Sequence, residues 1–314
     1  MGTLAVTAAD VFAARDRITG HVRHTPLLSL TLPTPHGPTP VVLKLEFTQI
    51  GGSFKLRGSL NAVLRARDDG RLTDAGVIVA SGGNAAIGAA HAARIAGTRC
   101  SVVVPETAPQ VKVDALHALG ATVHLVGDRY QQAADAAVQL AADTGALPLH
   151  AYDLPDIVAG AGTIGLELAE EIDGPLTTVV CVGGGGLLGG MATTLRPDDA
   201  LFGAEPVGSS CLNQALAHGK PVDVENSSVA SDSLGSTRVG SICWSLIADR
   251  KVTGVTVSDE DIIAARRHLW ADARMLVEHG TATAVAAVMA GAVVAQPDST
   301  LCVVLCGANT SLSV

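Results

Sequence analysis

Between residues 41 and 150, short runs of β-branched and apolar residues alternate with longer, alanine-rich stretches. The runs are VVLKLEF, GVIVA, CSVVVP and ATVHLVG, and between them stand NAAIGAAHAARIAG, PQVKVDALHALG and RYQQAADAAVQLAADTG. A near-continuous apolar run predicts a strand buried on both faces, and an apolar residue at every third or fourth position predicts a helix. The alternation is that of βαβ units on a parallel sheet. A second alternation follows: helix AGTIGLELAEEI, strand TTVVCVG, helix LLGGMATTL, strand LFGAEP, helices DEDIIAARRHLWADARML and TATAVAAVMAGAVV, and strand LCVVLCG. The predicted fold is α/β, with two open, twisted, mostly parallel sheets, helices on both faces and a hinge near residue 150. Residues 1–40 and 151–314 are assigned to a large domain and 41–150 to a small one. The stretch from Pro206 to Ser258 is the least regular and predicts loops and short helices.

Composition narrows the function. A chain of 314 residues, 48% hydrophobic and 16% charged, is large enough for two lobes and a buried site. Its formal charge of -9 argues against nucleic acid as a partner, because such proteins cluster Lys and Arg against phosphates. The 3% aromatic content removes base-stacking platforms as well. No apolar stretch free of charge or glycine approaches the roughly 20 residues that cross a bilayer. Asp10, Arg15 and Asp16 interrupt the N-terminus before a signal-peptide core can form. The expected setting is the cytoplasm, with no membrane contact. Cys100, Cys181, Cys211, Cys243, Cys302 and Cys306 form no CxxC pair, which points to reduced, buried thiols.

Ligands of open α/β sheets bind beyond the carboxyl ends of strands. Four such places carry chemistry. In TTVVCVGGGGLLGGM, Gly183, Gly184, Gly185 and Gly186 precede a helix starting near Leu187, so backbone N–H groups can close around a phosphate at the positive helix end. A tight turn alone does not require four consecutive glycines. The same segment fits a dinucleotide fingerprint through Gly184, Gly186 and Gly189, with Glu205 about 20 residues on. In GVIVASGGNAAIG, Ser81 and Asn84 are either helix caps or, with Gly82 and Gly83, donors to a carboxylate. In LCVVLCGANTSL, Cys306 and Asn309 follow a buried strand, where a cysteine is ordinarily a small hydrophobe. In GGSFKLRGSL, Lys55 beside Phe54 heads a helix, although lysine ordinarily belongs on the surface.

Together, GGSFKLRG, SGGNAAIGAA, GGGGLLGG and LCGAN, in this order and at these intervals, resemble the β-family, fold type II, of pyridoxal-phosphate enzymes, and most nearly the serine/threonine dehydratases. HTPLLSL, APQVKVDALHALGATVHLVG, AGAGTIGLELAEE and FGAEP extend the likeness over nearly the whole chain. The resemblance implies pyridoxal 5'-phosphate in the cleft between the domains, joined to Lys55 as a Schiff base. It places Phe54 beside the cofactor, Asn84 on the ring hydroxyl, Gly183 to Gly186 with Leu187 around the phosphate, and Cys306 against the pyridine nitrogen. Lys55 and Ser81 are the implied catalytic residues, and Ser81, Gly82, Gly83 and Asn84 the implied site of a small amino-acid substrate.

The activity so implied is elimination of the β-hydroxyl from L-serine or L-threonine, giving pyruvate or 2-oxobutanoate and ammonia, with Lys55 as general base. The alternatives are β-elimination or β-replacement on another hydroxy amino acid, or a ligand-binding relative without turnover. The dinucleotide reading leaves Lys55, Asn84 and Cys306 without a role and is set aside. A homodimer is expected. Three departures bear on detail. Gly82 stands where racemase-like and many threonine-specific members carry serine. Ser209 and Cys211 follow Glu205 where metal-binding members supply a carbonyl and an aspartate, so no metal is expected. EHGTATA replaces the usual Glu-Pro motif at Glu278.

Overall fold

The computed structural model describes residues 6–248 and 252–310, and among them two sheets. The larger has the order β1 (Leu27–Thr34), β2 (Gly37–Lys44), β10 (Thr300–Val304), β7 (Leu176–Cys181), β8 (Ala200–Pro206), β9 (Val252–Val257). The smaller has the order β5 (Thr122–Leu125), β4 (Cys100–Val104), β3 (Val77–Ala80), β6 (Leu147–Leu149). Every pairing is parallel except that of β1 with β2. Most of the runs predicted as doubly buried strands are so placed, and every residue of β7 is buried, but β5, from the run ATVHLVG, stands at the edge of the smaller sheet with no residue fully buried. The helices layered on and between the sheets are α1 (Ala8–Ile18), α2 (Lys55–Asp68), α3 (Asn84–Ala96), α4 (Gln110–Ala118), α5 (Tyr130–Thr144), α6 (Pro155–Glu171), α7 (Gly186–Ala192), α8 (Cys211–His218), α9 (Ser241–Ile247), α10 (Asp259–Ala273) and α11 (His279–Met289). No helix among the described residues is long and apolar enough to cross a membrane.

The expected boundary after residue 40 cuts β2, which pairs as one strand with β1 and β10 of the larger sheet. VVLKLEF is therefore no part of the smaller sheet. Its partner β1 escaped the sequence reading because Pro33, Pro38 and Pro40 lie in the hairpin, and proline argues against strands. β1 stands at the sheet edge and leaves residues of one face exposed, which an antiparallel edge tolerates. β9 is the other correction. It lies in the stretch expected to be irregular, where Gly254 allows close approach: a Cβ there would sit 2.7 Å from Asn213 Oδ1.

The two sheets are joined through α2 and α6. A Cβ on Gly160 would lie 2.5 Å from Arg57 O, and one on Gly58 would lie 2.6 Å from Ile157 O, so only glycines let these helices cross so closely. A buried ionic network bolts the crossing. Arg57 grips Glu46 through Nε at 2.9 Å and Nη2 at 2.7 Å and reaches Glu167 through Nη1 at 2.6 Å. Lys44 Nζ lies 2.8 Å from Glu167 and 2.6 Å from Glu171. His24, Glu167 and Glu171 have the spacing of a cation site, but the Lys44 ammonium already supplies its positive charge.

Candidate active site

Lys55 opens α2 directly opposite the end of β10. Gly51 and Gly52 take φ of +81° and +72°, turning the chain where a side chain at 52 would strike Asn309. Phe54 N then donates to Cys306 O at 3.0 Å and Ala308 N to Gly52 O at 2.9 Å, so the two motifs are stitched together by main chain. Lys55 Nζ lies 4.8 Å from the Phe54 ring centroid and donates to Ala151 O at 2.8 Å. The residue is half-buried, and burial of its ammonium lowers the pKa to about 8 against the opposing pull of Cys306, Cys181 and Glu278. About a tenth of the free amine is then neutral at pH 7.

Asn84 stands at the start of α3 and is not a side-chain cap. Its Nδ2 donates to both Glu278 oxygens at 2.9 Å, and its Oδ1 accepts from Asn309 Nδ2 at 2.7 Å. Asn309 N donates to Glu278 Oε1 at 2.8 Å. Glu278, 5% exposed, thus orients Asn84, and burial raises its carboxyl pKa above the ordinary value. Sequence reasoning marked Glu278 only as a departure. Cys306 Sγ has Thr281 Oγ1 and Cys181 Sγ each 3.2 Å away. Neither neighbour was singled out from sequence.

The first two carbonyls of the glycine loop are engaged by the protein. Gly183 O accepts from Cys211 Sγ at 3.2 Å and Gly184 O from Gly240 N at 3.0 Å. Among the described residues, the N–H groups of Gly184, Gly185, Gly186 and Leu187 donate to no main-chain carbonyl outside the helix, as expected at a helix start. The glycines also answer to packing, which sequence reasoning underrated. A Cβ on Gly184 would lie 2.4 Å from Tyr152 ring atoms and one on Gly185, at φ +88°, would lie 2.5 Å from Cys243 Sγ. Tyr152 went unrecognised because HAYD carries no pattern by itself. It belongs to a strap whose Ala151 carbonyl meets Lys55 and whose Asp153 carboxylate accepts the N–H groups of Ser241 and Ile242 at 3.0 and 2.9 Å. Leu187 is itself 4% exposed, so its side chain belongs to the core and only its main chain is offered to the loop.

Ser81, Gly82 and Gly83 form the turn between β3 and α3. Ser81 Oγ accepts from Gly83 N at 3.2 Å. A Cβ on Gly82 would meet only Val104 Cγ1, at 3.5 Å, and one on Gly83 only Asp232 O, at 3.9 Å, so this turn is open where the glycine loop is crowded. Glu205 caps the next helix, beside the Cys211 thiol that meets Gly183. Its carboxylate accepts from Leu212 N at 2.7 Å, Asn213 N at 2.9 Å and Asn213 Nδ2 at 2.8 Å, at the start of α8. Its carboxylate is thus spent on the protein rather than presented to a ribose.

The family described as "Pyridoxal-phosphate dependent enzyme" matches residues 18–307. An L-threonine ammonia-lyase of Thermotoga maritima is 31% identical over 287 residues, 90% of this chain and 71% of its own. The crystal structure of a threonine deaminase from T.th. superposes with TM-score 0.87 at 31% identity, over 98% of this chain and 100% of that one. Serine racemase from Dictyostelium discoideum gives TM-score 0.88 at 29% identity, over 98% of this chain and 99% of the other.

Proposed function

Because the chain belongs to the pyridoxal-phosphate dependent enzyme family, we propose that it is an ammonia-lyase removing the β-hydroxyl and amine of L-threonine or L-serine to leave a 2-oxo acid. The observation that carries the reading is Lys55, a half-buried lysine at the head of α2 with a pKa of about 8 and a carbonyl, not a carboxylate, against its Nζ. The residues fit the cofactor. The unspent N–H groups of the glycine loop suit its phosphate, Asn84 its ring hydroxyl, and the Cys306 thiol its pyridine nitrogen. When bound, it withdraws electrons from the substrate α-carbon.

The remaining roles are assigned to the chain. Lys55 takes the α-proton, which its lowered pKa permits near neutral pH. Ser81, Gly82 and Gly83 take the substrate carboxylate through hydroxyl and main-chain N–H groups. Glu278 and Asn309 hold Asn84 in one orientation, so its amide does not have to be ordered on binding. A thiol at 306 carries no full negative charge toward the ring nitrogen, a setting that favours elimination over amino transfer. Racemisation needs a second acid across from Lys55, and Gly82 offers none. A division into two lobes, one around each sheet, and a homodimer as the working form complete the proposal.

The test supplies the purified holoenzyme with L-threonine and L-serine and follows 2-oxo acid release alongside chiral analysis of the residual amino acid. The expected result is 2-oxobutanoate or pyruvate with little D-isomer. Bound cofactor without 2-oxo acid from either substrate would overturn the assignment, and abundant D-serine would move it to a racemase.

A further inference from the structure

Cys181, the last residue of β7, brings its sulfur to 3.2 Å from Cys306 Sγ on the neighbouring strand's extension, and both thiols are free and buried. The proton inventory around this contact gives it a direction. Thr281 Oγ1 donates to Gly307 O at 2.7 Å and accepts from Gly307 N at 2.9 Å. Toward Cys306 Sγ, 3.2 Å away, the hydroxyl therefore has only a lone pair to offer. Thr281 therefore cannot donate to Cys306, which leaves Cys181 as the donor within reach of its sulfur. Cys306 carries one proton. Were it given to Cys181 instead, none would remain for a ring nitrogen, and the Cys181 proton would need another acceptor; the reverse direction meets both needs.

We infer that Cys181 is a positioning residue for the cofactor ring: its S–H donates to Cys306 Sγ and so leaves the Cys306 proton for the pyridine nitrogen. The inference rests on the placement of Cys306 in the proposed function. The contact with Cys306 and then burial push the Cys181 thiol well above its ordinary pKa, so it stays protonated, and able to donate, across the working pH range. Nothing in the pattern VVCVGGGG distinguishes Cys181 from the apolar residues around it. The role exists only because β7 and β10 are neighbours.

The experiment titrates the visible absorbance of the bound cofactor with pH in the parent holoenzyme and in Cys181→Ala, Cys181→Ser, Cys306→Ala and the Cys181→Ala/Cys306→Ala pair, with thermal midpoints recorded beside kcat. Cys181→Ala is expected to displace the spectroscopic midpoint and lower kcat about two- to five-fold, the scale of one weak hydrogen bond. Cys181→Ser, which keeps a donor, is expected to restore the parent titration. In the Cys306→Ala background, Cys181→Ala should add nothing, since the shared partner is gone. A parent-like titration in Cys181→Ala, or a displacement that persists without Cys306, overturns the inference alone. A spectrum indifferent to Cys306→Ala overturns the placement of Cys306 and the inference with it.

Discussion

Lys55 and Arg57 lie on the same turn of α2 and meet opposite surroundings. Arg57, 1% exposed, is gripped by Glu46 and Glu167, so its charge is matched inside the protein. Lys55 meets a carbonyl and an aromatic face, and among the described residues no carboxylate pairs with it. A buried cation with carboxylates around it becomes part of the frame. Without them, the cost of desolvation falls on the charged form and the amine is pushed toward neutrality, which is what a base requires. Lys44, with two glutamates on its Nζ, belongs with Arg57, so residue type does not decide the role.

The sharpest test of that contrast is Lys55→Ala, expected to lower turnover about a thousand-fold or more while the cofactor-free protein keeps its fold, as shown by kinetics and circular dichroism. Loss of fold in parallel with activity would place Lys55 in the frame as well. Arg57→Ala should act the other way, costing about 3–5 kcal/mol in urea unfolding because the Glu46 carboxylate is left buried and unmatched. A cost near zero would show that water reaches the network.

The third break point is pH. Lys55 has a pKa of about 8 in the fold against an ordinary 10.5, so between these values the unfolded chain holds more protons. Lys55 should contribute a rise of up to about 3 kcal/mol to the stability of the cofactor-free protein across that window and nothing to the slope below it, against an opposing fall from buried thiols such as Cys100, Cys243 and Cys302, whose raised pKa leaves the folded chain holding the extra protons. The difference between parent and Lys55→Met, in which the thiols cancel, should show that rise. The smallest effect is expected from Gly82→Ser. Its Cβ meets only Val104 Cγ1, at 3.5 Å, so stability should move by less than about 0.5 kcal/mol while D-serine becomes detectable by chiral chromatography. If no D-serine appears, a hydroxyl at this position is insufficient to reprotonate the far face.

Most of the secondary structure was legible because doubly buried strands leave apolar runs and amphipathic helices leave a period in the sequence, as in β7 and α6. The prolines around β1 and the short, glycine-bearing β9 carried contrary or weak local signals, and in both cases sheet pairing prevailed over propensity. The glycines before α7 were read as an anion cradle, but their crowding by Tyr152 and Cys243 was invisible, since neither partner is near them in the chain.

The sequence by itself determined which residues could carry the chemistry: a lysine behind two glycines at a helix head, four glycines after a strand, a glycine where a second acid would stand. These are local requirements of backbone conformation and reactive group, and short motifs express them. Tertiary structure alone decided how each group is tuned. Asn84 is oriented by Glu278, 194 residues away, Lys55 meets a carbonyl 96 residues away, and Cys306 meets Cys181 across 125 residues. Desolvation and hydrogen-bond direction depend on what surrounds an atom in space, and that is set only when the two sheets close around the cleft.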